Sequence, residues 1–343
     1  MKMAWKEIVK SKTRYLILGS IIFLISLLTM IISGLANGLS YDNGSLIKEM
    51  PEGTFYMQEE AEGQHNFSSL DGEIRDEIED ASSDAMFLSI QMGEVEAADE
   101  KRHSVAFVST EDSNLFPSVE AGQLILDASI MEEGIARGDD LTNGLLEQSL
   151  TVEAFVDHQK YSHAPVAFIN PDDFQKMYRT DAFQVALIVG DGAPEIDGLS
   201  QFTNDEFLNT IPSYSAEQLS LNMIVAFLFA ISGMLFGIFF YMINVQKIAI
   251  YGILKAVGVK TSTLYKMMWV QMVIITVIAL VSSIGISQFV GVVMPEGMPF
   301  LLTLSTASLM SLIFLIIGFV GSTASGIQIS KVEPMQAINQ GGL

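Results

Sequence analysis

Four histidines are the residues of this chain best suited to acid–base or metal chemistry: His65, His103, His158 and His163. His158 and His163 are five residues apart, which is not a spacing that brings two ligands to one face of a helix. The chain has no cysteine, and hence no thiolate ligand and no disulfide. It also lacks a G-x-x-x-x-G-K-[ST] phosphate loop and a nucleophile-elbow motif. We therefore predict no catalytic residue, no metal site and no resident cofactor.

One carboxylate has a special position, because Glu217 is the last acidic residue before a long apolar run. The run, residues 222–243, contains no charged side chain. Charge next to a membrane segment is costly to keep, so an ionisable residue there is a functional-site candidate by default. We therefore treat Glu217 as a candidate binding residue.

A second chemically distinct stretch, residues 245–260, carries lysines between two apolar runs. The runs, residues 222–243 and 267–289, each exceed the roughly 20 residues that a helix needs to cross a bilayer. The stretch must then lie at one membrane face. The lysines on or next to it mark that face as cytoplasmic; they are Lys247, Lys255, Lys260 and Lys266. Because Gly258 suits the left-handed residue that ends a helix, we predict a short surface helix over residues 246–258.

These stretches require a membrane protein with four crossings. Two further apolar runs, residues 15–35 and 300–326, complete the set. The first run follows basic residues, as in a signal peptide, but it is too long for the apolar part of one, so we predict a retained helix. All 10 bases outside residues 41–218 then fall on one side. We predict cytoplasmic termini and three segments: residues 1–40, 41–218 and 219–343.

The segment between the first two crossings, residues 41–218, differs sharply in charge from the rest. It has 37 acidic and 8 basic residues, a net charge of −29, while the remainder has 3 acidic and 10 basic residues, or +7. Such an acidic surface is well hydrated, and it disfavours nucleic acid, whose phosphates need basic patches. We predict an extracellular α+β domain here, with most of its carboxylates solvated.

The secondary structure of this domain follows from local patterns. Asn170-Pro171-Asp172-Asp173 has a capping residue, a proline at the first helical position and acids in the first turn, so a helix is predicted through Met177. Residues 203–208 are a second candidate helix, and the acidic residues 73–80 are compatible with a helix or a loop. Runs rich in β-branched and aromatic residues predict strands at 104–108, 123–126, 150–156, 166–169 and 183–189.

Small residues predict close helix packing. Gly34 and Gly38 in the first membrane helix, and Gly233 and Gly237 in the second, both match G-x-x-x-G. This spacing lets helix backbones approach closely, either inside one chain or between two copies of it. Gly318, Gly321, Ser322 and Ser325 form a similar stripe in the fourth.

Four sets of residues together resemble the MacB/FtsX-like permeases of ATP-binding-cassette systems, and within them the haem-efflux branch. They are residues 3–15 at the N-terminus, residues 32–39, residues 214–223, and residues 253–258 together with 331–338. The last set is shared across the broad family, whereas residues 32–39 and 214–223 are similar to the haem-efflux branch. One departure is that Ala249 and Tyr251 stand where many members have an acid before the Ile-Leu-Lys-Ala run.

The resemblance implies a homodimeric permease with two copies of a separate ATPase, which alone hydrolyses ATP. Closure of the ATPases would rock the membrane helices and outer domains, a mechanism called mechanotransmission. Residues 246–258 would then be the coupling helix that docks on the ATPase. Its candidate contact residues are Lys247, Tyr251, Lys255 and Gly258.

Haem, as the implied cargo, is flat, apolar and anionic, and it could enter from the membrane between helices of the dimer. Methionine, tyrosine, histidine and carboxylate side chains can ligate its iron. No histidine lies in a predicted membrane helix, so ligation by two histidines is excluded there. The candidates near the outer leaflet are Met30, Tyr214, Glu217, Asn222 and Met223. For the two methionines, ordinary packing is the alternative. Other functions also stay open: FtsX-like signalling to an extracellular partner, or export of a peptide, antibiotic or lipoprotein.

Overall fold

The computed structural model describes residues 2–111, 115–190, 192–294 and 298–331. It divides into two compact units. The helical unit comprises Met1–Gly38 and Leu219–Leu343, and the sheet unit comprises Leu39–Gln218. Residues 332–338 of the C-terminal stretch that resembles the family lie outside the described residues, and so do residues 295–297 between the third and fourth apolar runs.

The described residues form nine α-helices. In chain order they are α1 (Lys2–Lys10), α2 (Lys12–Lys48), α3 (Gly72–Ala81), α4 (Pro171–Tyr178), α5 (Asn204–Thr210), α6 (Pro212–Gln246), α7 (Ile248–Ala256), α8 (Thr261–Val293) and α9 (Leu304–Lys331). Four of them are long and apolar enough to cross a membrane: α2, α6, α8 and residues Leu304–Ile327 of α9. The prediction of four membrane helices is therefore confirmed.

All four helices begin elsewhere than the apolar runs suggested: α2 begins three residues earlier, at Lys12, and α8 six residues earlier, at Thr261. Helix α6 starts at Pro212, ten residues before the predicted start, because the polar residues 212–221 continue the same helix. Helix α9 starts at Leu304 and not at 300. The hydroxyl of Thr303 accepts a hydrogen bond from the amide of Thr306, 3.1 Å away, and so caps the helix there.

The interior of the helical unit is apolar and closely packed. Its fully buried side chains include Leu18, Phe240 and Phe314. Helices α6 and α9 approach through glycines, since a Cβ added to Gly321 would lie 3.2 Å from the carbonyl oxygen of Gly233. The small-residue stripe thus packs two helices of one chain together.

The sheet unit contains ten strands. They are β1 (Gly53–Gln58), β2 (Ala85–Glu96), β3 (Arg102–Thr110), β4 (Gln123–Asp127), β5 (Asp140–Leu141), β6 (Leu150–Val156), β7 (Lys160–Tyr161), β8 (Ala164–Ile169), β9 (Val185–Val189) and β10 (Leu199–Thr203). They form one mixed sheet in the order β10-β1-β9-β2-β3-β8-β4-β6-β5, and β7 pairs with β8. The pairs β3–β8 and β4–β6 are parallel, and the others are antiparallel.

Both faces of the sheet are covered, as its strands alternate between two apolar cores. On β1, Phe55 and Met57 join a core that includes the end of α2 and helix α5, while Tyr56 points to the opposite core. The rings of Phe55 and Phe207 stack with centroids 4.5 Å apart. This packing fixes the end of α2 against the sheet within the unit.

The α+β class with a β-rich domain between the first and second membrane helices is confirmed. The predicted helix after Asn170 is α4, whose first free amide, that of Asp172, donates to the Asn170 side chain at 3.0 Å. Residues 203–208 enter α5 behind a capping box formed by Thr203 and Glu206, and residues 73–80 are helical in α3. The five predicted strands all fall on observed strands, although β9 begins at Val185 and not at 183. Strands β1, β2, β5, β7 and β10 had not been predicted.

Candidate functional site

Glu217 lies in a cluster of charged and polar side chains, which we call the Glu217 cluster: Asp42, Asn43, Lys160, His163 and Glu217. One carboxylate oxygen of Glu217 lies 2.8 Å from His163 Nε2, and the other accepts from Asn43 Nδ2 at 3.0 Å. Asp42 contacts His163 Nδ1 at 3.5 Å and Lys160 Nζ at 2.5 Å. The imidazole therefore lies between two carboxylates.

Three segments of the sheet unit position this cluster. Asp42 and Asn43 come from the end of α2, Glu217 from the start of α6, and His163 from the two-residue turn between β7 and β8. Ser162 and His163 both have positive φ, 51° and 66°, as a type I′ hairpin turn requires. The amide of Ser162 donates to the carbonyl of Asn43 at 2.7 Å, which fixes the hairpin against α2.

The cluster is neither buried nor fully exposed. Asn43 is wholly buried, but the side chains of Glu217 and His163 are 30% and 31% exposed. A pair in this setting is held by hydrogen bonds and still reaches solvent, so either partner can exchange its contact for an incoming ligand. Carboxylate and imidazole both bind iron. Among the described residues, no group of three or more His, Asp or Glu is arranged to hold a bare metal ion.

Tyr214 is placed one turn before Glu217 on α6. Its hydroxyl accepts from Ser40 Oγ at 3.2 Å, and the ammonium of Lys48 lies 5.0 Å from the centre of its ring. Lys48 Nζ also donates to Ser40 Oγ at 2.6 Å. The phenol is thus held by a hydroxyl and a cation from the end of α2.

The other three predicted haem candidates belong to the helical unit. Met30 is fully buried in its core, whereas Asn222 and Met223 are exposed on α6, Met223 to 54%. Within one chain, Met223 is therefore accessible and Met30 is not. These five assignments remain predictions.

The predicted coupling residues divide into interior and exterior ones. Lys247 and Tyr251 are buried. Lys247 Nζ contacts Glu7 Oε1 at 2.5 Å and donates to the Tyr15 hydroxyl at 2.8 Å. Tyr15 donates to Gln271 Oε1 at 2.8 Å, and Gln271 Nε2 donates to Glu7 Oε2 at 2.7 Å. We call this closed ring the Glu7–Lys247 network; it connects α1, α2, α8 and the start of α7.

Burial shapes the electrostatics at this face of the helical unit. It lowers the pKa of Lys247, and the hydrogen bond that Lys247 donates to Glu7 opposes that change. Burial also raises the pKa of Tyr251, whose hydroxyl donates to Asn244 Oδ1 at 3.2 Å. Both side chains therefore hold α7 in place from inside, so the outer contacts of α7 belong to other residues.

The outward side of α7 is apolar, which the sequence analysis did not identify. Ile250, Ile253 and Val257 are 54%, 54% and 80% exposed, at the i, i+3, i+7 spacing of one helix face. Gly258 ends the helix with φ of 94°, as predicted. The amides of Gly258 and Val259 donate to Lys255 and Leu254 carbonyls at 3.0 and 2.9 Å, which is the Schellman pattern.

The predicted packing glycines contact different partners. A Cβ on Gly34 would lie 2.4 Å from the Phe300 ring, and one on Gly38 would lie 2.4 Å from the Pro299 carbonyl, so both accommodate the segment before α9. Gly233 approaches Ile317 of α9. Gly237 has open space beside its Cα.

Sequence reasoning had selected Glu217 and Tyr214 but missed Asp42, Asn43, Lys160 and His163. The sequence analysis assigned His163 no role, and its separation of 54 residues from Glu217 gives no periodic signal. Asp42 and Asn43 did offer a clue, since they lie among polar residues that continue the first membrane helix. When a helix continues beyond its apolar run, the polar residues that follow are held in helical conformation.

The C-terminal part of the chain is similar to a known family of permeases. Residues 222–334 match the family described as FtsX-like permease C-terminal. This match covers the three membrane helices α6, α8 and α9 and the short α7 between two of them. The chain thus has four candidate membrane helices and a C-terminal part similar to FtsX-like permeases, and the predicted resemblance to these permeases is confirmed.

Particular relatives match over nearly the whole chain. A Staphylococcus haemolyticus protein named as a hemin transport system permease, HrtB, is 28% identical over 98% of this chain and 99% of the relative. A Staphylococcus epidermidis protein of the same name is 26% identical over 99% and 100%. Among solved structures, the periplasmic region of MacB from Actinobacillus actinomycetemcomitans covers 46% of this chain and 92% of its own, with 8% identity and a TM-score of 0.34.

Proposed function

We propose that this chain is the permease subunit of an ATP-binding-cassette efflux system that exports haem. Two copies would assemble with two copies of a separate ATPase, in the cell membrane, with both termini cytoplasmic and residues 41–218 outside. The observation that carries the proposal is the Glu217 cluster, because it offers a carboxylate and an imidazole at the start of an apolar helix. The full-length similarity to proteins named for hemin transport supports it.

The apolar and polar parts of haem suit different parts of α6. An apolar macrocycle that has partitioned into the membrane can contact the exposed apolar face of α6, where Met223 is accessible. Glu217 precedes Met223 by six residues in the sequence. In this proposal the iron takes Glu217 as a ligand, His163 holds that carboxylate in place, and the partner copy closes the site.

The ATPase would act through α7 by mechanotransmission. The Glu7–Lys247 network fixes the start of α7 to α1, α2 and α8, so a displacement of α7 would be passed to membrane helices and not absorbed by a loose linker. The exposed stripe Ile250, Ile253 and Val257 supplies an apolar docking surface of the kind that protein interfaces bury. The transport cycle then needs no catalytic residue of this chain.

The test is haem titration of the purified permease–ATPase complex in lipid nanodiscs, read by the Soret band. We expect about one haem per permease dimer and ATP hydrolysis that rises with haem. Glu217→Gln should weaken binding at least tenfold, a change of about 1.4 kcal/mol. Glu60→Gln, a matched change of an exposed acid in the sheet unit, should not.

Other outcomes would separate the alternatives. If no Soret shift appears and ATP hydrolysis ignores haem, haem is not the cargo. An FtsX-like role would then require ATP-dependent control of an extracellular partner without any transported molecule. Equal haem affinity in Glu217→Gln and the parent would retain haem export but reject the site.

A further inference from the structure

A long apolar groove lies on the surface of the helical unit, between α2 and α8, and the end of α1 closes one end of it. It has a volume of about 520 Å³. Its walls include Leu16, Gly19 and Phe23 from α2, and Ile274 and Ile278 from α8. A Cβ added to Gly19 would lie 3.4 Å from Ile275, so α2 and α8 approach each other closely at the floor of the groove.

The groove has the depth of one membrane leaflet. It runs along α2 from Lys12 to Phe23, eleven residues, or roughly 16 Å at 1.5 Å per residue. One leaflet of hydrocarbon is about 15 Å thick, half of the whole core. Because α2 and α8 are both membrane-crossing helices, this part of the groove lies among lipid chains.

One end of the groove is positively charged. Lys12 lines that end, and Lys6, Lys10 and Arg14 lie exposed within a few residues of it. Within the described part of the chain none of these four cations has a carboxylate within ion-pair distance, since the nearby Glu7 pairs with Lys247. Basic groups beside a pocket between membrane helices are the pattern that binds anionic lipid head groups.

We propose that this groove binds one anionic phospholipid, with an acyl chain between α2 and α8 and its phosphate at Lys12. A second copy of the chain fits less well, because a two-fold contact through this face would bring the same cations of both copies together. The inference needs only that α2 and α8 cross the membrane. It is independent of haem as the cargo.

The site would also link lipid to the coupling segment. Tyr15 lines the groove and at the same time shares its hydroxyl with Lys247 and Gln271 in the Glu7–Lys247 network. An acyl chain in the groove therefore packs against Tyr15, which belongs to the network that holds the start of α7. Lipid occupancy would stabilise that network from the membrane side.

Native mass spectrometry of the full-length protein, with phosphatidylglycerol or phosphatidylcholine added to the detergent, tests the inference. We expect one retained lipid per chain and about fivefold preference for phosphatidylglycerol, the effect of one lysine near an anionic group. Because Lys12 alone of the four cations lines the groove, Lys12→Gln should remove most of this preference. Lys266→Gln, an exposed lysine near the same end of α8 but outside the groove, should keep the preference.

A second pair of variants tests the acyl site and not the charge. Ser282→Phe puts a ring into the groove and should reduce the retained lipid at least fivefold, while Val281→Phe, on the next residue outside the lining, should leave it unchanged. Equal retention of both lipids by the parent protein, or equal loss in both phenylalanine variants, would overturn the proposal. So would efficient disulfide cross-linking of Ser20→Cys between two copies, since it would place a second chain in the groove.

Discussion

Two acid–base clusters of this molecule use similar groups in different surroundings. In the helical unit, Lys247 and Glu7 pair with side chains 6% and 22% exposed, inside a closed ring of hydrogen bonds. In the sheet unit, His163 and Glu217 pair with side chains about 30% exposed, beside Asp42. The difference in burial distinguishes the Glu7–Lys247 network, a structural link, from the Glu217 cluster, which we propose as a binding site.

Burial matters here because an unpaired charge costs more free energy inside a protein than at its surface. Removing one partner of a buried pair leaves the other without water or a counter-ion, which costs several kcal/mol. Removing one partner of a partly exposed pair costs little stability, because water replaces the missing partner. The Glu7–Lys247 network should therefore be expensive to disrupt, and the Glu217 cluster cheap to open for a ligand.

The largest effect should come from breaking the buried pair. Lys247→Met leaves Glu7 partly buried without its cation, and we expect the free energy of unfolding to fall by about 3 kcal/mol. Thermal unfolding of the purified protein in detergent measures this. Lys266→Met removes a lysine from the same face of the unit, where the side chain is exposed, and should change stability by less than about 0.5 kcal/mol. Similar losses in both variants would contradict the structural role of the network.

His65 is a buried histidine of the sheet unit, and its burial should make the free energy of unfolding depend on pH. Burial lowers the pKa of His65 to about 4, from the usual 6.5. Between these values the unfolded chain binds a proton that the folded chain does not, so the free energy of unfolding falls as the pH falls from 6.5 to 4. The loss should reach about 3 kcal/mol at the end of this window.

Calorimetric melting of the parent and of His65→Phe over pH 7 to 4 measures that loss. The phenylalanine keeps a ring beside Tyr161 and Phe207 but cannot take a proton. We expect the melting temperature of the variant to fall less steeply with acid than that of the parent. Parallel curves would show that His65 does not contribute to acid sensitivity.

How far the sequence predicted these features depends on the range of the interactions. The four crossings, the end of α7 at Gly258 and the start of α4 at Asn170 all depend on neighbouring residues, and they could be predicted. The partners of Glu217 could not, because His163 reaches it only after the β7–β8 hairpin folds onto α2. The interior position of Lys247 was also hidden, since the segment's pattern gave no sign that Glu7 would pair with it.

A smaller effect should arise at the close contact before α9. Gly38→Ala would place a Cβ 2.4 Å from the backbone of Pro299, so the segment leading to α9 must move. We expect a loss of about 1–3 kcal/mol in stability, as for other overpacked sites. Gly237→Ala is the matched control, because the space beside Gly237 is open in one chain. It should stabilise α6 by about 0.5–1 kcal/mol, since glycine weakens a helix interior.

The same control also reports on the dimer. If Gly237 packs against a second copy, its alanine variant should lower the dimer fraction measured by light scattering. An unchanged dimer with higher stability would place the dimer contact elsewhere.

The smallest effect on stability should be that of Glu217→Gln, as expected for the binding site that we propose there. Glutamine keeps an acceptor for Asn43 Nδ2 and removes the charge facing His163, in a place where water reaches both side chains. We expect the free energy of unfolding to change by less than about 1 kcal/mol, measured in the same melts as Lys247→Met. A loss as large as that of Lys247→Met would mean that the Glu217 cluster is a structural link like the other one. A small loss together with weaker haem binding would show that the carboxylate contributes to ligand affinity and hardly to the fold.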